Sequence, residues 1–224
     1  MYDSTAAWEQ VDRYFADTLI VEDATLVQAR ASGRQSSMPQ AEVAANQGQL
    51  LSMLARMVGA RRVLEFGTLA GYSTIWLARA VGAGGQVTTL ELDERNASIA
   101  RTNLAAAQVL DRVDVRVGPA LDSARGLIQS GVAPYDLVFI DADKPSNPGY
   151  LAAAMELTRA GSVIVIDNVV RNGAVIDPAS ADDRVRGVRA VLADIAADHR
   201  LEATALQTVG SKGWDGFAIA RRIE

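Results

Sequence analysis

The segment that decides the fold, residues 62–81, reads RVLEFGTLAGYSTIWLARAV. It opens with an apolar strand candidate, Arg62 to Phe66, turns at Gly67 and Gly71, and continues as a helix candidate through Val81. A buried strand, a glycine turn and a helix in this order are typical of the units that build parallel α/β sheets. Glycine lets the backbone pass close to a ligand at such a turn, so the segment also indicates a binding site.

The same alternation continues to the C-terminus. Further strand candidates cover residues 86–91, 113–117, 135–141, 162–167, 201–209 and 216–220, and helix candidates cover residues 93–107, 121–130, 150–158 and 183–198. Strands separated by helices of this length predict an α/β fold with a mostly parallel seven-stranded sheet and helices on both faces. The last two strands follow one another across a short turn-rich segment, so they predict an antiparallel hairpin at one edge.

Residues 1–60 contain helix candidates only. Apolar residues recur at helical spacing from Trp8 to Leu19, and again over residues 41–58. We expect a helical N-terminal extension, whose apolar stripe belongs to the core or to a subunit interface, followed by an α/β core over residues 61–224. Residues 1–224 then form a single domain.

Composition excludes several classes of protein. The 224-residue chain has no cysteine, one histidine (His199) and a formal net charge of −5. The lack of cysteine excludes disulfide and thiolate chemistry, and a lone histidine excludes sites built from several imidazoles. The acidic balance argues against nucleic acid as the main partner. No apolar run approaches the roughly 20 residues of a membrane-spanning helix, and the N-terminus lacks the order of a secretory signal, so we expect a cytoplasmic protein with no membrane partner.

Three strand ends indicate an adenosine-binding site. The turn Gly67 to Gly71 lacks the third glycine of dinucleotide-binding proteins, which suits a cofactor without a pyrophosphate. Glu91 ends the second strand, where an acid accepts hydrogen bonds from ribose hydroxyls. The turn at residues 117–120 either lies along an adenine ring or caps the next helix, and Asp93 is most simply a helix cap. Each signal alone is weak, because glycine turns are also common for packing reasons.

Oxygen ligands follow the fourth and fifth strands. Asp141 ends the fourth, and Asp167 and Asn168 end the fifth. If these strands are neighbours, about 4.8 Å apart, the three side chains converge at the carboxyl edge of the sheet. Oxygen donors without sulfur or imidazole select a hard cation, Mg²⁺ first and then Ca²⁺ or Mn²⁺. The alternative is that these acids are helix caps or surface turns.

Lys144 follows the fourth strand and is a candidate general base. A bound dication nearby would favour the neutral amine, which can accept a proton. The alternative is a solvated lysine in a surface ion pair with Asp143.

These strings resemble the cation-dependent class I S-adenosylmethionine O-methyltransferases, the family of catechol and caffeoyl-CoA O-methyltransferases, and most of all its bacterial members. The matching stretches are residues 63–73, 139–144 and 167–172, and the resemblance runs from about Met38 to the C-terminus. It implies a Rossmann-like fold, methyl transfer from S-adenosylmethionine to a hydroxyl of a phenolic small molecule with vicinal hydroxyls, and a homodimer. Phe66 stands where the family usually has isoleucine. Residues 1–37 carry no transferable motif, so the acceptor stays open.

The resemblance also implies roles for individual residues. It implies that the metal is bound by Asp141, Asp167 and Asn168, and that catalysis depends on Lys144 as the base and on Asp141. It implies S-adenosylmethionine contacts from Val43, Glu65, Gly67, Thr68, Ser73, Glu91, Ala120 and Asp143. Met38 and Asn172 are implied to contact the substrate.

Two other functions remain open at this point. One is a nicotinamide-dependent oxidoreductase on the same type of sheet, which the missing third glycine and the acids at two further strands disfavour. The other is a non-catalytic adenosylmethionine-binding protein, which the intact Asp141, Lys144, Asp167 and Asn168 disfavour.

Overall fold

A seven-stranded sheet organises residues 5–224, which the computed structural model describes. The strands are β1 (Arg62–Phe66), β2 (Gln86–Glu91), β3 (Val113–Val117), β4 (Tyr135–Ile140), β5 (Thr158–Asp167), β6 (Leu201–Gly210) and β7 (Gly213–Arg222). Their order is β3-β2-β1-β4-β5-β7-β6. The first five are parallel, and β7 is antiparallel to both β5 and β6. The predicted mostly parallel sheet with a C-terminal hairpin is confirmed.

Eight α-helices surround the sheet within the described residues. They are α1 (Thr5–Leu19), α2 (Ala24–Ser32), α3 (Ala45–Met57), α4 (Tyr72–Val81), α5 (Glu94–Ala106), α6 (Ala120–Gln129), α7 (Asn147–Leu157) and α8 (Asp183–Ala197). Short 3-10 turns cover Gly33–Gln35, Leu110–Arg112, Lys144–Ser146 and Ala174–Ile176. No helix in residues 5–224 combines the length and the apolar character needed to cross a membrane.

Alternate residues of the central strands pack on opposite faces. On β1, Leu64 belongs to the cluster formed with α7 and α8, whereas Val63 belongs to the cluster formed with α3 and α4. Both side chains are completely buried, as expected for a parallel strand covered on two sides. Helices therefore cover both faces, as predicted.

Most boundaries fall where the sequence predicts them, and the main exception is β5. This strand begins at Thr158, earlier than the predicted residue 162, because Thr158 pairs with Tyr135 before an irregularity shifts the register. The next pair is Val163 with Leu137. Propensity does not reveal such a bulge, since the extra residues have no strand pattern of their own.

The register brings three strand ends into line. Phe66 pairs with Ile140, and Ile140 pairs with Ile166, so Gly67, Asp141 and Asp167 are the next residues at one edge. The Asp141 N–H donates to the Phe66 carbonyl oxygen (2.8 Å). Gly67 has a φ of 96°, and a Cβ atom there would overlap the Asp141 carbonyl. Only glycine allows β1 to end this close to the start of the acidic turn.

Candidate functional site

A cavity of about 1300 Å³ opens at the carboxyl edge of the parallel strands. Its wall combines the ends of β1, β2, β4 and β5 with residues of α1, α3 and the β6–β7 hairpin. The sequence-predicted site residues in this wall are Met38, Val43, Gly67, Thr68, Ser73, Glu91, Ala120, Asp141, Asp143, Lys144, Asp167 and Asn168. Glu65 and Asn172 lie outside it. The fold thus brings together residues separated by more than a hundred positions in the chain.

Glu91 holds the glycine turn at the end of the cavity formed by β1 and β2. Its carboxylate accepts hydrogen bonds from the backbone N–H groups of Thr68 (3.2 Å) and Leu69 (2.8 Å). It also accepts from the Asp93 N–H (3.0 Å) and from the Asn96 amide (3.2 Å). This carboxylate is 6% exposed and satisfied by four protein donors. It fixes the turn in addition to facing the cavity, a double role that the sequence does not indicate.

Glu65 lies behind the wall and does not line the cavity. The side chain is fully buried and accepts hydrogen bonds from the hydroxyls of Ser73 (2.6 Å), Thr74 (2.5 Å) and Thr89 (2.7 Å). Burial raises the pKa of the Glu65 carboxyl to about 7, although these three hydrogen bonds act in the opposite direction. Because Ser73 itself lines the cavity, Glu65 supports the wall through Ser73.

Asn96 joins the loop before α3 to this end of the cavity, and sequence reasoning missed it. Its amide nitrogen donates to Glu91 and to the Ser37 hydroxyl (2.9 Å), while its oxygen accepts the Ser37 N–H (3.0 Å). Asp93 caps α5, as predicted, by accepting the N–H groups of Arg95 (2.7 Å) and Asn96 (3.4 Å). An asparagine in the first turn of a helix carries no signal for these long-range contacts.

Lys144 and Asp141 form a buried ion pair in the wall. The Lys144 Nζ lies 2.8 Å from Asp141 Oδ1, and the two side chains are 8% and 19% exposed. The alternative of a solvated lysine paired with Asp143 is therefore wrong. Asp143 instead caps the following turn by accepting the Ser146 N–H (3.2 Å) and a hydrogen bond from the Tyr150 hydroxyl. Those hydrogen bonds hold the pKa of Asp143 below its usual value, against the effect of burial.

Asp167 shares this region with Asp141. Burial and the negative charge of Asp141 raise the pKa of the Asp167 carboxyl to about 7, while Lys144 and the Asn168 N–H (2.8 Å) lower it. The two carboxylates of Asp141 and Asp167 lie near the single ammonium of Lys144, so this buried region has an excess of negative charge. Asn168, which adopts a left-handed conformation (φ 58°), adds an amide to the same wall.

The oxygen donors in this part of the wall suit a hard divalent cation, whose charge they would partly neutralise. Within residues 5–224 there is no group of three or more acidic or histidine side chains placed to hold a metal. A cation at this site would have two carboxylates and one amide as ligands, all of which bind through oxygen.

Asn172 is not brought to the cavity. It is exposed, its φ is 53°, and its N–H donates to the Trp214 carbonyl oxygen (3.1 Å). The preceding residue, Arg171, lines the cavity in its place. The turn after β5 lies against the β6–β7 hairpin. Its register against β7 therefore decides which side chain of the turn faces the cavity.

The N-terminal helix contributes Asp12 to the wall. Asp12 Oδ2 accepts hydrogen bonds from the backbone N–H (2.8 Å) and the hydroxyl (3.1 Å) of Ser211, and Oδ1 accepts from the Asn46 amide (3.0 Å). Lys212 donates to the Gln40 carbonyl oxygen. These contacts connect α1, α3 and the loop before α3 to the tip of the β6–β7 hairpin.

Comparison with known proteins gives a consistent result over nearly the whole chain. A family model described as O-methyltransferase matches residues 16–223. The catechol O-methyltransferase of Mycobacterium tuberculosis is 48% identical over 210 residues, which are 94% of each chain. The O-methyltransferase TomG from Streptomyces achromogenes, solved with SAM, is 44% identical, with a TM-score of 0.96 over 99% of each chain. The O-methyltransferase from Bacillus cereus, solved with SAH, is 49% identical, with a TM-score of 0.95 over 98% of this chain and 100% of that one.

Proposed function

The chain belongs to the O-methyltransferase family, and on that premise we propose that it transfers a methyl group from S-adenosylmethionine to one hydroxyl of a catechol-like molecule with the help of a divalent cation. The observation that carries the proposal is the buried Asp141–Lys144 pair beside Asp167, in the same cavity as the glycine turn and Glu91. One cavity therefore contains both the proposed cofactor site and the proposed proton acceptor. Membership of the family leaves a nicotinamide-dependent oxidoreductase without support, and makes the chain an enzyme and not a mere binder of the cofactor.

At the cofactor end, the proposed contacts come from the strand ends and from the loop before α3. Thr68, Ser73 and Glu91 offer polar atoms, and Val43 and Ala120 offer apolar surface. The carboxylate of Glu91 in this part of the wall suits the positive charge of a sulfonium. Glu91 is the proposed partner of the ribose hydroxyls.

At the other end, Lys144 is the proposed base. The proton of the acceptor hydroxyl moves to Nζ of Lys144, whose position is set by its hydrogen bond to Asp141. The acceptor oxygen then forms its bond to the methyl carbon while the carbon–sulfur bond breaks and the sulfur keeps the electron pair. Burial of the lysine in the wall excludes most water from this transfer.

The metal, Mg²⁺ first, with Ca²⁺ or Mn²⁺ as alternatives, would be held by Asp141, Asp167 and Asn168. When bound, such a cation supplies positive charge that favours both the ionised acceptor hydroxyl and the neutral amine of Lys144. Asp141 then has two tasks, since it also orients Lys144. Met38, which is 63% exposed at the rim, and Arg171 are the proposed acceptor contacts.

A homodimer remains a prediction of the resemblance. Helix α1 has no buried residue and exposes Tyr14 (65%) and Leu19 (73%), so it presents apolar surface suited to an interface.

The proposal is tested by metal depletion. Chelation by EDTA followed by desalting should abolish transfer to catechol, and added Mg²⁺ should restore it, with S-adenosylhomocysteine and methylated catechol measured together. Asp167→Asn should weaken the response to Mg²⁺, whereas Asp111→Asn, an exposed acid outside the cavity wall, should not. Full activity in a verified metal-free sample would contradict the metal requirement, and absence of transfer to any vicinal diol would contradict the acceptor class.

A further inference from the structure

Helix α8 has a glycine in its buried face. The buried residues of this helix are Val185, Gly187, Val188, Val191 and Ile195. Glycine is less favourable than every residue except proline in the interior of a helix, because it has the most backbone freedom to lose. A glycine at such a position therefore requires a reason in the packing.

The main chain of Lys144 supplies that reason. A Cβ atom at Gly187 would lie 2.1 Å from the Lys144 carbonyl oxygen and 2.7 Å from the Pro145 Cα atom. Carbon and oxygen atoms in contact are normally about 3.3–3.6 Å apart, so even one methyl group requires a displacement of about 1 Å. The 3-10 turn Lys144–Ser146 therefore rests directly on the backbone of α8.

Three other contacts hold the same turn. The Lys144 carbonyl oxygen accepts the Asn147 N–H, and the Asp143 carboxylate accepts the Ser146 N–H (3.2 Å). The Tyr150 hydroxyl donates to the same carboxylate. These hydrogen bonds fix the shape of the turn, whereas α8 determines how far the turn extends into the cavity.

Helix α8 has less freedom to move than the turn that rests on it. Val188 and Val191 belong to the apolar cluster formed with α7, and both are completely buried. Lys144 and Pro145, in contrast, line the cavity on their other side. A side chain in place of Gly187 should therefore push the turn toward the cavity and move Lys144 with it.

We propose that Gly187 is a positioning residue for methyl transfer, because its lack of a side chain lets α8 support Lys144 at the depth from which Nζ reaches the acceptor hydroxyl. The Lys144 side chain is 8% exposed and its Nζ lies 2.8 Å from Asp141 Oδ1. A side chain packed in this way has little room to compensate for a shift of its main chain. Displacement of a reacting group by about 1 Å can lower the rate about 10²-fold. The proposal rests on the proposed function, in which Lys144 takes the proton.

The experiment measures kcat for two acceptors that differ in their need for a base. Catechol must lose a proton during transfer, whereas 4-nitrocatechol has a more acidic hydroxyl and is largely ionised in a mildly alkaline assay. With the full chain, Mg²⁺ and saturating cofactor, Gly187→Ala should lower kcat about 10- to 100-fold for catechol and less than about threefold for 4-nitrocatechol. The acceptor KM and the dissociation constant of S-adenosylmethionine should change less than about threefold.

Gly85→Ala is the matched control. Gly85 is buried outside the cavity wall, and a Cβ atom there would lie 2.5 Å from Val81 Cβ and 2.7 Å from the Val81 carbonyl oxygen. The substitution should lower the free energy of unfolding without changing the ratio of the two kcat values, since the overlap is far from Lys144. Lys144→Ala gives the full change in that ratio for comparison.

Thermal unfolding followed by circular dichroism establishes whether Gly187→Ala folds. If it does not, Pro145→Gly loosens the same turn from its exposed side and should change the ratio in the same direction. The inference is overturned if folded Gly187→Ala keeps the wild-type ratio or lowers both kcat values equally, or if Pro145→Gly, used in its place, keeps the wild-type ratio. If the wild-type enzyme methylates neither acceptor, the proposed function itself fails and the inference fails with it.

Discussion

The two ends of the cavity are built in opposite ways. At the cofactor end, Gly67, Glu91 and Ala120 lie at or just after the ends of the neighbouring strands β1, β2 and β3, and hydrogen bonds to Glu91 fix the glycine turn. At the acceptor end, the wall is assembled from Asp12 of α1, the turn after β5 and the hairpin tip, which are far apart in the chain. The first end is determined by the sheet itself, and the second by contacts between elements added to it.

This difference predicts which kinetic quantity each residue controls. Substitutions at the cofactor end should change the dissociation constant of S-adenosylmethionine, whereas those at the acceptor end should change the acceptor KM or kcat. A substitution that changes cofactor affinity and the acceptor kinetic constants equally would contradict this separation of roles between the two ends.

The largest effect is expected at Lys144, the proposed base at the acceptor end. If Lys144 receives the acceptor proton, Lys144→Ala should lower kcat by about 10²–10⁴ while the dissociation constant of S-adenosylmethionine stays nearly unchanged. Single-turnover rates with saturating catechol and calorimetric titration of the cofactor measure the two quantities. The pH–rate profile should also lose the limb that reports the base.

The control for this prediction is Lys144→Arg. A guanidinium preserves the charge beside Asp141 but does not release its proton in this pH range, so it should not rescue turnover. Near-normal turnover of Lys144→Arg would rule out Lys144 as the base and leave it as a structural partner of Asp141.

A smaller effect is expected at Glu91, and it should concern cofactor affinity and not turnover. Glu91→Gln removes the charge that faces the proposed ribose site and weakens the hold on the Thr68 and Leu69 N–H groups. Loss of a charged hydrogen-bond partner costs about 1.5–3 kcal/mol, so the dissociation constant of S-adenosylmethionine should rise about 10- to 100-fold. At saturating cofactor, kcat should fall by less than about threefold.

Glu94→Gln is the matched control, since Glu94 lines the same end but is 69% exposed and paired with Arg101. The free energy of unfolding should be measured for both variants, because Glu91 also supports the glycine turn. Unchanged cofactor affinity in Glu91→Gln would show that its role is confined to that turn.

The contrast between the two ends also explains what could be predicted from the sequence. The strand ends were predictable, because β1, β2 and β3 are short strands that end in clear turns and the chemistry follows each strand directly. The convergence of Asp141 with Asp167 required only that β4 and β5 be neighbours, which the sheet confirms. Here local pattern and global fold agree.

The acceptor end could not be predicted in this way. Whether Arg171 or Asn172 faces the cavity depends on the register of the turn against β7, which no local periodicity encodes. The resemblance pointed to Asn172, whereas the structure brings Arg171 to the wall. The resemblance likewise implied a cofactor contact from Glu65, whereas the structure encloses its carboxylate with three hydroxyls behind Ser73.

The smallest effect is expected at Asp12, which connects α1 to the hairpin tip by accepting hydrogen bonds from Ser211 and Asn46. A partly exposed hydrogen-bond pair contributes about 1 kcal/mol, so Asp12→Ala should raise the acceptor KM about three- to tenfold. Cofactor affinity should not change, because Asp12 contacts none of the strand ends that form the cofactor end. Asp17→Ala, at an exposed acid of the same helix, is the control and should leave the acceptor KM unaltered. If Asp12→Ala instead weakened S-adenosylmethionine binding to the same degree as acceptor binding, α1 would be a cover for the whole cavity, and the separation of the two ends would be wrong.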